Sequence, residues 1–282
     1  MKTISLSKIN IYLKVKGKLP NGFNAIETVF LPLKYPADTI SINSTSLHSL
    51  TITSNSKNLP LNKNNICWQA AMQYSEKCKI PPHWNIHIEK QIPISAGLGG
   101  GSSNAASVLK LLNDKYKKLN SKELFTIANN LGSDVPFFSN PTFSIGTDRG
   151  TILTPINIPI PKKEIILLNP LFPISASWAY KNRTKIHNDN TVNDAINSFI
   201  NTPEVYYKYF RNDLQPAAFK KFPFLKILQN DLIKAGACFV GMTGSGPTLF
   251  ALPSKNQTSD NIIDKMKNIY TSSILCIKAE TI

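Results

Sequence analysis

The feature that most constrains this chain is a run of small residues in its first half. The segment from Pro93 to Ala106 reads PISAGLGGGSSNAA and holds four glycines. The alternation from Trp84 to Glu89 predicts a strand before it, and the apolar spacing from Ser103 to Asn113 predicts a helix after it. Glycines let backbone N–H groups converge, and a helix N-terminus adds a partial positive charge. This strand–turn–helix therefore predicts an anion cradle, with phosphate as the expected anion.

Two better-known glycine motifs do not match this segment. A P-loop needs a lysine directly after the glycines, and none follows Gly101. A dinucleotide fingerprint needs a third glycine where this chain has Ser102. We expect Ser102 and Ser103 to cap the helix, to bind a phosphate oxygen or to hold Mg²⁺ through a hydroxyl. Taken alone, the segment also fits a flexible turn before a serine-capped helix.

Composition sets the class of protein. The 282 residues are 42% hydrophobic and 17% charged, which predicts a globular chain and excludes a disordered one. Thirty-two Lys+Arg against 17 Asp+Glu leave a net charge of +15, which favours anionic partners such as phosphorylated metabolites, nucleotides or nucleic acid. The frequent Lys, Asn and Ile also fit a genome with biased base composition, so the charge alone does not assign a function.

The sequence also predicts the compartment. No window is apolar enough for a membrane span, and the first residues alternate as a strand does rather than forming a signal peptide. The cysteines show no close pairing, which is typical of reduced thiols. They are Cys67, Cys78, Cys238 and Cys276. We therefore expect a cytoplasmic protein.

Predicted strands and helices are mixed without a regular βαβ repeat, which indicates an α+β fold in two halves. The proline-rich stretch from Thr151 to Pro161 predicts a domain boundary, which gives domains of residues 1–155 and 156–282. Ser121 is expected to cap a helix that ends at Leu131, with Gly132 as a left-handed closing residue. Further helices are predicted over residues 65–78, 203–210, 223–235 and 261–269.

Three segments together resemble the GHMP kinases. The glycine segment is similar to the family's phosphate loop, Leu131 to Phe138 (LGSDVPFF) to its catalytic aspartate motif, and Gly241 to Pro247 (GMTGSGP) to its C-terminal glycine motif. The resemblance implies the two-domain GHMP kinase fold, with a ribosomal-protein-S5-domain-2-like N-terminal domain and a ferredoxin-like C-terminal domain. It also implies transfer of the ATP γ-phosphoryl group to an alcohol, with Mg²⁺ accompanying the ATP.

Other segments narrow the resemblance to one branch of the family. Ser7 to Leu13, Asn21 to Asn24 and Arg211 to Leu214 are similar to members that phosphorylate the 2-hydroxyl of 4-diphosphocytidyl-2-C-methyl-D-erythritol in non-mevalonate isoprenoid biosynthesis. The implied partner is this cytidine diphosphate-linked small molecule, with no nucleic acid and no membrane. The oligomeric state, monomer or homodimer, is left open.

The resemblance also assigns site residues. Lys8 and Asp134 match the catalytic positions. By alternation alone Lys8 would lie on a solvated strand face, and Asp134 would cap a short helix before Pro136. The implied ATP-binding residues are Pro93, Ile94, Ser95, Ala96, Gly97, Leu98, Gly99, Gly100, Gly101, Ser102 and Ser103, together with Asn65 and Lys90. The implied acceptor-binding residues are Asn10, Phe23, Asn24, Tyr180, Thr243 and Gly244.

Two of these positions depart from the branch. Its members have tyrosine where this chain has Phe23, and histidine where this chain has Asn24. An Asn amide offers both a donor and an acceptor, so it still fits a cytosine edge. The departure keeps open a GHMP kinase with another alcohol acceptor. A nucleic-acid-binding protein is the alternative from another class, although the chain lacks a basic run with interleaved aromatics. His83 and His87 share one strand face without a third ligand nearby, which argues against zinc; the protein ligands of Mg²⁺ are not predicted.

Overall fold

A computed structural model describes residues 1–46, 49–159, 163–184 and 190–282. Its strands are β1 (Lys2–Lys18), β2 (Asn24–Ser44), β3 (Thr51–Ser54), β4 (Trp84–Glu89), β5 (Ser144–Thr147), β6 (Ile152–Pro155), β7 (Glu164–Asn169), β8 (Ala237–Met242), β9 (Leu249–Pro253) and β10 (Leu275–Thr281). Its α-helices are α1 (Ile66–Cys78), α2 (Gly100–Tyr116), α3 (Ser121–Leu131), α4 (Val135–Ser139), α5 (Ala176–Lys181), α6 (Val192–Asn201), α7 (Gln215–Lys221), α8 (Phe224–Ala235) and α9 (Ser259–Tyr270). None of the helices in these ranges combines the length and the apolar character that a membrane crossing requires.

The chain forms two compact units that interleave along the sequence. Unit 1 consists of Met1–Ser7, Pro36–Ile94 and Gly99–Pro141. Unit 2 consists of Lys8–Tyr35, Ser95–Leu98 and Thr142–Ile282. The strands β1 and β2 and the glycine segment therefore contribute residues to both units. The boundary expected between domains of residues 1–155 and 156–282 remains a prediction.

Unit 1 is built on a small mixed sheet. The end of β2 pairs antiparallel with β4, from Thr39 opposite Glu89 to Ser44 opposite Trp84. The short β3 lies on the other side of β4 and runs parallel to it. The helix α2 packs on α1 and α4. Its buried apolar residues follow helical spacing, because a core-facing stripe recurs every three to four residues.

Unit 2 contains the ferredoxin-like arrangement. The order along the chain is β7, α8, β8, β9, α9 and β10, and the strands lie side by side as β10, β7, β9 and β8 with antiparallel pairing. Leucines of α8 and isoleucines of α9 cover the sheet in one apolar core. The other edge of β10 meets β2 at Leu33 and Tyr35. The expected α+β fold is confirmed, and so is the ferredoxin-like arrangement expected in the C-terminal half.

The strand β1 is buried on both faces over part of its length. Every residue from Ser7 to Leu13 is buried, whichever face it points to. Lys8 is 3% exposed, so the interpretation of Lys8 as part of a solvated strand face is wrong. Alternation places a residue on one face or the other, but it does not say whether that face is covered.

Helix ends differ in detail from the sequence-based expectations. Asn120, not Ser121, caps α3, because its side chain accepts the backbone N–H of Glu123 in a capping box. Gly132 has a φ of 170°, which is extended rather than left-handed. Only a short 3-10 turn, Tyr206–Lys208, forms where a helix was expected over residues 203–210. The Tyr206 ring is fully buried and packs against several phenylalanines, so tertiary packing overrides the local helical pattern.

Several elements carried no clear sequence signal. The strands β5 and β6 are four residues each, and α5 and α7 are only six and seven residues long. Residues 160–162, at the end of the proline-rich stretch, lie outside the described residues. All four cysteines have free thiols. Burial raises the pKa of Cys67 to about 12 and that of Cys276 to about 11, so both remain protonated near neutral pH.

Candidate active site

In unit 2, the Lys8 ammonium lies between the side chain of Asn10 and the glycine segment. Its Nζ donates to Asn10 Oδ1 at 2.6 Å and to the carbonyl oxygen of Gly97 at 3.0 Å. Its backbone N–H donates to the carbonyl oxygen of Leu98 at 3.0 Å. Lys8 is therefore joined to the segment by two hydrogen bonds, one from its ammonium and one from its backbone, and a third bond joins the ammonium to Asn10.

The C-terminal glycine turn lies against the same place. Gly97 has a φ of +78°, and a Cβ added there would lie 2.7 Å from the carbonyl oxygen of Thr243. Gly244 has a φ of +55°, and its Cβ would lie 3.3 Å from Lys8 Nζ and 3.2 Å from Asn10 Oδ1. Both positions need glycine, because a side chain would be strained and would displace its neighbours. Two motifs far apart in the sequence thus meet at one lysine.

A buried hydrogen-bond chain sets the orientation of the Asn10 amide. Asn10 Nδ2 donates to Thr28 Oγ1 at 2.8 Å, and that hydroxyl donates to the carbonyl oxygen of Tyr12 at 2.6 Å. The backbone N–H of Asn10 donates to Thr243 Oγ1 at 2.9 Å. Because the amide nitrogen is taken by Thr28, the oxygen is left to face Lys8. Asn10 and Thr243, predicted as acceptor-binding residues, thus lie around this lysine.

Asn212 is not among the predicted site residues, yet it supports the glycine turn directly. Its Nδ2 donates to the carbonyl oxygens of Met242 at 2.7 Å and of Gly244 at 2.9 Å. The neighbouring Arg211 and Asp213 form an ion pair in which both side chains are 4% exposed. The similarity of Arg211 to Leu214 to the family branch was the signal that could have identified Asn212.

In unit 1, the helix α2 begins within the glycines. Gly99 is its N-cap with a φ of 74°, and no side chain caps it by a hydrogen bond. The expectation that Ser102 or Ser103 caps this helix is wrong, because both lie in its first turn. Ser103 is buried, and its Oγ accepts a hydrogen bond from Ser5 Oγ at 2.7 Å. The N-terminal amides of α2 are thus not taken by a capping side chain.

Lys90 lies beneath the start of α2 in a buried polar cluster. Its Nζ donates to the Asp38 carboxylate and, at 3.1 Å, to Asn104 Oδ1. The side chains of Lys90 and Asp38 are 7% and 0% exposed. A Cβ added at Gly100 would lie 3.3 Å from Lys90 Nζ. Of the predicted ATP-binding residues in unit 1, Lys90 thus contacts Asp38 directly, and Gly100 lies close to the Lys90 ammonium.

Asn65, also predicted near the nucleotide, has a structural task of its own. It is the N-cap of α1, where its Oδ1 accepts the backbone N–H of Cys67 at 2.8 Å. Its Nδ2 donates to the carbonyl oxygen of Pro60 at 2.6 Å. The amide is therefore committed to holding the start of the helix.

Asp134, in unit 1, is the residue that precedes α4. It occupies the N-cap position with helical backbone angles, and its carboxylate makes no capping hydrogen bond to the helix. The interpretation that Asp134 is only a helix cap is therefore wrong. Pro136 lies in the first turn of α4, where a missing N–H does not weaken a helix.

The residues predicted to bind the acceptor base lie in unit 2. Phe23 is 49% exposed, and the Arg149 guanidinium lies 4.8 Å from the centre of its ring. Asn24 begins β2, and its Oδ1 is buried without a hydrogen-bond partner in the described part of the chain. Tyr180 lies on α5 and is half-buried against the apolar core of unit 2.

The remaining residues of the glycine segment differ in exposure. Ser95 has a φ of 55° and Ile94 is 41% exposed, whereas the side chains of Ala96 and Leu98 are buried. Pro93 is half-buried and Gly101 is exposed. The apolar side chains thus anchor the segment while its backbone turns.

Sequence comparisons identify the family of the chain. The family model "GHMP kinases N terminal domain" matches residues 65–140, and "GHMP kinases C terminal" matches residues 194–272. A 4-diphosphocytidyl-2-C-methyl-D-erythritol kinase of Chloroherpeton thalassium is 31% identical, with 95% of this chain and 94% of the relative covered. One of Cytophaga hutchinsonii is 34% identical, with 87% of this chain and 90% of the relative covered.

Solved structures agree at the level of the whole fold. A crystal structure of 4-(cytidine 5'-diphospho)-2C-methyl-D-erythritol kinase matches with a TM-score of 0.76 and 25% identity, and it covers 100% of this chain and 99% of its own. The L. major mevalonate kinase in complex with R-mevalonate also matches with a TM-score of 0.76, covering 100% of this chain and 95% of its own; at 13% identity it supports the fold alone. The chain belongs to the GHMP kinase family, in the branch of the 4-diphosphocytidyl-2-C-methyl-D-erythritol kinases.

Proposed function

We propose that this chain transfers the γ-phosphoryl group of ATP to the 2-hydroxyl of 4-diphosphocytidyl-2-C-methyl-D-erythritol. The observation that carries the proposal is the placement of the Lys8 ammonium against Gly97 and beside Gly244, where the two glycine motifs of the family meet. A fixed ammonium at a glycine-lined turn suits a migrating phosphoryl group, because lysine is a compact positive charge.

The phosphates of ATP are proposed to bind the amides at the start of α2. This helix is 17 residues long, its N-cap and its first two residues are glycines, and no side chain caps it by a hydrogen bond. A helix N-terminus carries a partial positive charge and presents free N–H groups, so it binds phosphate without any side chain. The residues from Pro93 to Ser103 are the proposed contacts.

Lys8 and Asp134 are proposed to act on the transferred group and on the alcohol. Phosphoryl transfer passes through a loose transition state, in which little proton transfer is needed before the phosphoryl group is largely free. A carboxylate is a weak base for an alcohol, but it can orient the hydroxyl and accept its proton late. We assign this role to Asp134, and we assign the offsetting of phosphate charge to Lys8.

Recognition of the cytosine base is assigned to Phe23, Asn24 and Tyr180. The buried, unpartnered Oδ1 of Asn24 is an acceptor that suits the exocyclic amino group of cytosine. The two rings provide stacking surfaces, and Phe23 is exposed enough to receive a base. Asn10, Thr243 and Gly244 are proposed to contact the remainder of the acceptor.

Mg²⁺ is proposed to enter with ATP rather than to reside in the protein. This cation usually keeps several waters and is bound by one or two protein groups together with substrate phosphates, so it needs no protein cage. Within the described ranges, no three His, Cys, Asp or Glu side chains form a group suited to a metal. When bound, Mg²⁺ would neutralise phosphate charge. The free thiols and the use of ATP fit a cytoplasmic location.

An acceptor panel tests the proposed reaction. We expect ADP release with diphosphocytidyl methylerythritol and none with mevalonate, homoserine or galactose, and phosphorus NMR of the product should place the new phosphate on the 2-hydroxyl. Turnover of another panel member alone would favour the second candidate, a GHMP kinase with a different acceptor. Salt-sensitive nucleic-acid binding without ATP turnover would contradict both.

The Asp134→Asn variant tests the catalytic assignment. The amide fills the same volume but accepts no proton, so kcat should fall by about 10²–10⁴-fold, the range typical of positioned proton transfer. The dissociation constant of ATP, measured by calorimetry, should stay close to that of the wild type. Near-normal turnover of Asp134→Asn would remove Asp134 from the mechanism.

A further inference from the structure

Asp38 is a fully buried carboxylate to which neither the sequence motifs nor the proposed mechanism gives a role. It lies on β2 within unit 1, in the same alternating register as the buried Ile40 and Ile42. A charged residue on the buried face of a strand is unfavourable unless it is fully hydrogen-bonded. Its partners therefore indicate why a carboxylate is kept there.

One oxygen of Asp38 holds the chain that enters the glycine segment. Oδ1 accepts the backbone N–H groups of Gln91 and Ile92, both at 2.8 Å. These residues directly follow β4 and Lys90. The carboxylate thereby fixes the path of the backbone just before Pro93.

The other oxygen holds the helix that leaves the glycine segment. Oδ2 accepts Asn104 Nδ2 at 2.8 Å and also accepts Lys90 Nζ. Asn104 lies in the first turns of α2, and its Nδ2 also donates to Ser5 Oγ at 2.9 Å. Ser5 in turn donates to Ser103. A single carboxylate therefore joins the two unit 1 flanks of the segment.

We propose that Asp38 is a positioning residue for nucleotide binding, which holds the first turn of α2 in register with the end of β4 so that its amides are preset for phosphate. The proposal rests on the proposed function, because it takes the bound anion to be the phosphates of ATP. Preorganised N–H groups bind an anion more tightly than groups that must first be ordered. Lys90 neutralises the carboxylate, so its negative charge does not oppose the phosphates.

Asp38→Asn breaks the connection at the carboxylate. The amide keeps an oxygen for Gln91 and Ile92 but presents an NH₂ group to two donors, Asn104 and Lys90. We expect the dissociation constant and the KM of ATP to rise about 10- to 100-fold, the range for losing a charged hydrogen bond. The KM of the acceptor and kcat at saturating ATP should change less than about threefold, because binding rather than chemistry is affected.

Two further variants separate positioning from folding. Asn104→Ala cuts the same connection from the helix side and keeps the ion pair of Asp38 with Lys90, so it remains informative if Asp38→Asn does not fold. The exchange variant D38N/N104D keeps the net charge and allows the amide and the carboxylate to bond in the reversed sense. We expect weaker ATP binding in Asn104→Ala and recovery to within about threefold of wild type in the exchange variant, as expected for coupled neighbours.

A matched control is Asp213→Asn, which breaks a comparably buried ion pair in unit 2. It should lower the thermal midpoint without a selective rise in the dissociation constant of ATP. The measurements are thermal unfolding, calorimetric titration with ADP and with a non-hydrolysable ATP analogue, and steady-state kinetics. Unchanged nucleotide affinity in folded Asp38→Asn or Asn104→Ala would reduce Asp38 to a structural residue. Wild-type protein that binds no nucleotide would instead overturn the proposed function.

Discussion

Two lysines are held in very different ways in the two units. Lys90, in unit 1, donates to a fully buried carboxylate and to an amide oxygen. Lys8, in unit 2, donates to the neutral oxygens of Asn10 and Gly97. An ammonium bonded to a buried carboxylate has its charge offset at close range. This contact suits Lys90 to structure, whereas the position of the Lys8 ammonium against Gly97 and Gly244 suits Lys8 to a negatively charged substrate.

Loss of each lysine should therefore be seen in a different measurement. Lys8→Met removes the charge that we propose to face the transferred group, so kcat should fall by about 10²–10³-fold, the range for losing one stabilising donor in a transition state. Lys90→Met leaves the Asp38 charge buried without its cation and should lower the free energy of unfolding by about 3–5 kcal/mol. Steady-state kinetics at saturating ATP and urea unfolding report the two effects. Equal losses of kcat would end the distinction between the lysines.

Substitution of the glycine beside Lys8, Gly97, should cost more stability than substitution of the glycine beside Lys90, Gly100. Gly97→Ala places a Cβ 2.7 Å from a backbone carbonyl at a positive φ, and backbone strain of this kind costs about 1–3 kcal/mol. Gly100→Ala places a Cβ 2.9 Å from the side chain of Ile92, without a positive φ. A side chain can rotate away, so Gly100→Ala should be the milder variant in thermal unfolding. A larger loss in Gly100→Ala would show that the unit 1 packing is the stiffer of the two.

The hydroxyl groups of Thr243, near Lys8, and of Ser5, near Lys90, allow a second comparison of the two polar clusters. Thr243→Val removes the acceptor of the Asn10 N–H and leaves that buried group unpaired, which should lower the free energy of unfolding by about 1–3 kcal/mol. Ser5→Ala removes a hydroxyl that contacts Asn104 and Ser103, at about 1 kcal/mol. We expect kcat to fall in the first variant and the KM of ATP to rise in the second. The reverse assignment would break the link between each cluster and its substrate.

The smallest effect is expected at an exposed ion pair. Lys16 Nζ lies 2.9 Å from the Glu27 carboxylate, but the Lys16 side chain is 50% exposed. Exposed pairs contribute about 0–1 kcal/mol and are screened by salt, so Lys16→Met should shift urea unfolding little at 0.15 M salt. This variant calibrates how much of the Lys90 effect comes from burial. A loss as large as that of Lys90→Met would mean that burial is not the cause.

The sequence was sufficient for the fold class, for the strands at the start of the chain and at Trp84–Glu89, and for the glycine segment, because strong periodicity and glycine density act locally. The sequence did not predict the burial of Lys8, since alternation cannot show that both faces of β1 are covered by other residues. Asp38 could have been noticed, because an acid falls on the buried register of Ile40 and Ile42. Its partners could not, because Asn104 lies 66 positions away in the sequence and only the folded chain brings it near.

The helix α2 starts on glycines, and no side chain caps its N-terminus by a hydrogen bond. If phosphate takes that place, the nucleotide finishes a piece of secondary structure as well as supplying the reactive group. Substrate occupancy and folding stability would then be linked by mass action, because a ligand that binds only the folded chain stabilises it. Depletion of ATP would leave the same protein easier to unfold.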